Sequence, residues 1–131
     1  MGVAMIAIIA LLLVSAGGVA PEPAGGLVAT ANVVIQRNLL KDWALSRCLA
    51  RGAPQPFAKD AAVSAAAILE RGDYGMEAYE AVEALVGKKL GKRYAGSVPG
   101  NYVTLKCIDL YHGAPLDAVV RRQKTTPSPQ R

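Results

Sequence analysis

The sequence predicts an all-α fold: a single small domain of four to five helices. Three observations carry that reading. Apolar residues recur every three or four positions in several segments, and nowhere do they alternate with polar ones for long enough to make a half-buried strand. Glycine and proline gather between those segments, at 52–56, 72, 96–100 and 113–115, where they stop helices. The 131 residues have room for one domain, and no internal repeat divides them.

At the N-terminus, residues 3–14 run Val-Ala-Met-Ile-Ala-Ile-Ile-Ala-Leu-Leu-Leu-Val, followed by small residues from Ser15 to Gly18. The run falls short of the ~20 apolar residues that span a bilayer. It suits a cleavable signal peptide over residues 1–16, leaving no stable membrane insertion afterwards, although no Lys or Arg precedes it. Residues 17–28, with paired glycines, Pro21 and Pro23, read as a flexible leader. The helical domain is expected over 29–123 and a disordered tail over 124–131.

The first helix places Leu40, Ala44, Leu45, Cys48 and Leu49 on one half of its surface, with Asp42, Ser46 and Ala50 opposite, and stops at Gly52. Residues 57–71 form the second, an alanine-rich segment whose best face is Phe57, Ala61, Ala65 and Ile68. Alanine favours helix and lets a neighbour come close, so this helix is expected to be central. Gly72 is expected as its C-terminal cap, and Asp73 as a cap for the third helix. That helix, 76–92, aligns Ala78, Tyr79, Val82, Leu85, Val86 and Leu90. After a loop over 93–100, Asn101 is expected to cap a fourth helix with Val103, Cys107, Leu110 and Tyr111 inward. Pro115 then opens a short fifth helix to about Gln123.

Net charge is +5, yet the basic residues are dispersed and aromatics make up only 5% of the chain. That is a poor nucleic-acid footprint. It leaves anionic envelope polymer as one ligand class for a basic exported module.

Few residues invite chemistry. Cys48 and Cys107 both face inward, and an exported chain meets an oxidising compartment, so the better reading is a disulfide between the first and fourth helices. The alternative, a Cys107 nucleophile activated by His112, suffers from their five-residue spacing, which turns the side chains about 140° apart. His112, the only histidine, suits the end of the fourth helix. No metal-ligand spacing, cofactor motif or catalytic set is present, so no enzyme is expected. Two surfaces remain as candidates for a partner: the acidic stripe Glu77, Glu80 and Glu83, and the loop bearing Arg93, Tyr94, Ser97 and Val98. Each also has a plain reading, as a solvated face and as a connector.

Lys41-Asp42-Trp43-Ala44-Leu45-Ser46-Arg47-Cys48, the Glu77-Ala78-Tyr79-Glu80 turn and Lys106-Cys107-Ile108-Asp109-Leu110-Tyr111-His112 together resemble the immunity proteins of type VI secretion amidase effectors. The resemblance spans about residues 38–122. It implies a small periplasmic helical protein, often a homodimer, that binds a peptidoglycan amidase effector and obstructs its catalytic cleft without catalysis of its own. The cysteine pair and the Trp43 helix carry over as scaffold. The inhibitory contacts are expected on the third helix and the loop after it.

Overall fold

The computed structural model describes residues 17–18, 20–21 and 24–126. Five helices occur in order: α1 (Ala24–Gly52), α2 (Phe57–Leu69), α3 (Met76–Leu90), α4 (Val103–Tyr111) and α5 (Ala114–Arg122). Among the described residues there is no strand, and one isolated antiparallel bridge joins Tyr74 to Thr125. Helix α1 is the axis of the molecule. It touches all four of the others, whereas α2 touches α1 alone and α3, α4 and α5 also pack on one another.

The core follows from the helical phases. Leu40, Trp43, Ala44 and Cys48 of α1 meet Ala78, Tyr79, Val82 and Val86 of α3, Cys107 and Leu110 of α4, and Leu116, Val119 and Val120 of α5. Trp43 packs edge-on to Tyr79, with ring centroids 4.9 Å apart. Cys48 and Cys107 form a disulfide, fully buried and 59 residues apart in sequence. Closing a loop of that length removes denatured-state entropy equivalent to ~4 kcal/mol in the chain-entropy model.

Several local expectations are corrected. Helix α1 begins at Ala24, inside the stretch read as a flexible leader. Gly25 and Gly26 therefore lie in helix although they are weak helix formers. Helix α2 is peripheral: Ala58, Ala61 and Ala65 lie against α1, while Phe57 is 73% exposed and Val63 63%. Its alanines bring it close to one neighbour, but their apolarity reflects helix propensity more than depth.

Gly72 has no left-handed conformation. A side chain there would strike the Tyr79 hydroxyl, so close approach is what calls for glycine. Asp73 does not cap α3, whose N-cap is Gly75. Instead its backbone N–H donates to buried Gln36 Oε1 at 2.8 Å, and Gln36 Nε2 donates to Asp73 Oδ2 at 3.0 Å. Helix α4 is preceded by Tyr102, not Asn101, at its N-cap. In the segment read as tail, the Thr126 N–H donates to the Asp73 carbonyl at 2.6 Å. The proposed signal residues 1–16 and tail residues 127–131 lie outside the described residues.

Candidate partner-binding site

The two candidate surfaces leave α3 in different ways. Glu77, Glu80 and Glu83 recur at every third position of α3, but only two of them face solvent unpaired. Arg47 Nε and Nη2 each donate to a Glu83 carboxylate oxygen at 3.1 Å, and Arg51 Nη1 donates to Oε1 at 3.0 Å. Burial works to raise the Glu83 pKa, yet the hydrogen bonds and charges of Arg47 and Arg51 outweigh it and hold the carboxyl below its usual value. Glu83 is thus committed to tying α3 to α1. Glu77 and Glu80 are exposed and make no ion pair among the described residues.

Beside Glu80 runs a groove of about 330 Å³ that separates α2 from α3, with Trp43, Ala65, Leu69, Met76 and Tyr79 among its walls. It exists because α2 and α3 both rest on α1 without touching each other.

The loop between α3 and α4 is anchored at its base and bare at its tip. Tyr94 donates its hydroxyl to Asp109 Oδ2 at 2.6 Å, a bond that raises the tyrosine pKa and keeps it a donor. Lys106, buried on α4, donates to the Leu90 carbonyl at 3.1 Å and so caps the end of α3, with its ammonium 5.6 Å from the centre of the Tyr94 ring. Arg93 and Ser97 are exposed, and Val98 is 72% exposed. Stripe and loop are therefore consecutive in the chain, and the acidic helix leads into the apolar tip.

Nothing in the geometry supports a thiol reaction, because both cysteines are in the disulfide. His112 sits exposed at the C-cap of α4, edge-on to Tyr111. Among the described residues, no group of three or more His, Cys, Asp and Glu side chains is placed to hold a metal ion.

A family profile described as type VI secretion system amidase immunity protein, Tai4, matches residues 38–120. The chain belongs to that family. Among curated proteins none matches. Similar solved structures agree with the fold. The effector–immunity system Tae4/Tai4 of Salmonella typhimurium includes a chain 36% identical, covering 70% of this chain and 91% of its own, with a TM-score of 0.65. A structure from a study of type VI-secreted toxins and self-resistance proteins of Serratia marcescens is 30% identical, covers 88% of this chain and 93% of its own, and has a TM-score of 0.64. A third, from the Tae4–Tai4 complex of Enterobacter cloacae, is 26% identical, covers 65% and 88%, and has a TM-score of 0.58.

The sequence offers the stripe and the loop as candidate surfaces but is silent on what fixes them. Arg47 and Arg51 carry no sequence-local sign of pairing with Glu83, thirty-odd residues away. Tyr102, which reaches back under the loop to donate to the Val98 carbonyl, was equally silent.

Proposed function

We propose that this protein is a periplasmic immunity protein that binds a type VI peptidoglycan amidase effector and blocks its active-site cleft, with no catalysis of its own. The observation that carries the reading is the 93–102 loop: an exposed apolar tip on a base tied down by Tyr94, in a member of the amidase immunity family. An inhibitor that plugs a cleft needs such a tip, because ordering a slack loop on binding costs affinity. Arg93, Tyr94 and Ser97 supply the polar surround of the tip, and Glu77 and Glu80, at the other end of α3, a second contact surface. The signal peptide over residues 1–16 would deliver the chain to the compartment where the Cys48–Cys107 bond forms.

The same reading includes a homodimer. The first turns of α1 expose Leu27 (75%), Val28 (69%), Val34 (51%) and Ile35 (56%). A helix this rich in glycine and β-branched residues is marginal without a packing partner, and a second copy would cover the strip. Sedimentation of the mature chain is expected to give twice the monomer mass.

The deciding experiment uses a Tae4 enzyme as probe. A solved complex pairs Tae4 of Salmonella typhimurium with Tai4 of Enterobacter cloacae, so recognition within the family crosses species. Purified protein at micromolar concentration is expected to suppress peptidoglycan cleavage by the Salmonella typhimurium or Enterobacter cloacae Tae4, and to do so undiminished by salt. Failure to bind or inhibit either would count against the reading. Binding to anionic polymer that fades steeply as ionic strength rises would favour a basic envelope-binding module instead.

A further inference from the structure

We infer that Tyr102 is a positioning residue for the 93–102 loop, holding Val98 in the pose in which it is presented to the amidase. The inference rests on the proposed function, in which this loop enters the cleft.

Local physics argues against a tyrosine at this position twice over. Tyr102 has φ 54° and ψ 31°, and among the described residues it is the only non-glycine with positive φ. The left-handed region disfavours any residue with a Cβ, and a bulky one most. Position 102 is also the N-cap of α4, where Ser, Thr, Asp or Asn would satisfy a free N–H, and Tyr102 makes no such bond. Strain that persists in a folded chain is held by the surroundings.

Here the compensation lies in the loop itself. The unusual backbone turns the ring back beneath the loop, where its hydroxyl donates to the Val98 carbonyl. Gly96 lies against the hydroxyl end of the same ring: a Cβ at that position would collide with the hydroxyl and stand 3.2 Å from the ring carbon that bears it. Gly96 does not have positive φ, so a side chain there would act through Tyr102, by pushing its hydroxyl aside, and not through backbone conformation. Tyr94 fixes one limb of the loop to Asp109, and Tyr102 fixes the tip to the other limb. The tip stays exposed while its backbone is held from within.

The test compares Tyr102→Phe, Gly96→Ala and their combination in the full mature chain. Tyr102→Phe keeps the ring and removes only the hydroxyl. It is expected to leave Tm unchanged, to lower the backbone order parameters of Gly96, Ser97 and Val98, and to weaken inhibition of the Salmonella typhimurium Tae4 about 10-fold, the scale of one lost hydrogen bond. Gly96→Ala is expected to act likewise. The combination should be no weaker than Gly96→Ala alone, because both changes break the same contact. Unchanged order parameters in Tyr102→Phe would overturn the inference, and so would lower ones with undiminished inhibition. Val98→Asp separates the two levels: if it inhibits as well as the parent chain, the loop's role in the proposed function falls, whatever the order parameters show about Tyr102.

Discussion

Helix α4 joins two regions of opposite character. Its buried face carries Cys107, bonded to Cys48 in a core where both are inaccessible. Its N-terminal approach is the 93–102 loop, nearly all exposed. The junction is built from rare residues and holds the molecule together. The loop is built from common ones and is the part proposed to act. A binding tip is only as well placed as the element that displays it, so the disulfide, by fixing α4 to α1, also fixes the base from which the loop projects.

The largest expected effect breaks the junction. Replacing both cysteines, Cys48→Ser with Cys107→Ser, should cost about 4 kcal/mol, read as a lower urea midpoint. The folded remainder should still inhibit but less tightly, because neither sulfur reaches the surface to touch a partner while the bond between them steadies the base of the loop. Next is the loop tip. Val98→Asp should weaken inhibition by about 2 kcal/mol or more, the scale of an interface hot spot, with the unfolding midpoint unmoved.

Glu83→Gln sharpens the contrast from a third side, since this stripe residue belongs with the junction. A partly exposed ion pair of this kind contributes about 1 kcal/mol. Because Arg47 and Arg51 depress the Glu83 pKa in the folded chain, that contribution is present above the unfolded glutamate value of 4.5 and is lost as pH falls through the lower folded value. The stability gap between parent and Glu83→Gln should therefore be full at neutral pH and shrink on acidification, as urea unfolding at a series of pH values would show. The smallest effect is Glu80→Gln. Stability should stay within about 0.5 kcal/mol, while the association rate with the amidase shifts and loses part of its salt dependence if Glu80 is a rim contact. An unchanged rate would remove Glu80 from the binding surface.

Much of the candidate site was legible as location and little of it as arrangement. The stripe and loop stood out because spacing on α3 and the breakers Gly96, Pro99 and Gly100 are local signals. That Glu83 is already engaged was hidden, because its partners come from α1. The hold on Val98 was hidden too, since a tyrosine in the left-handed region leaves no mark in composition or periodicity.

The sequence by itself determined four to five helices, the breakers between them, and the inward phase of Cys48 and Cys107, because helix propensity and the 3.6-residue period act over a few neighbours. Only the tertiary structure decided that α1 extends back to Ala24, that α2 has α1 as its sole neighbour, and that Asp73 answers Gln36 instead of capping α3. Those outcomes depend on which faces meet across the chain. A helical period says which side of each helix is apolar, but not which other side will cover it.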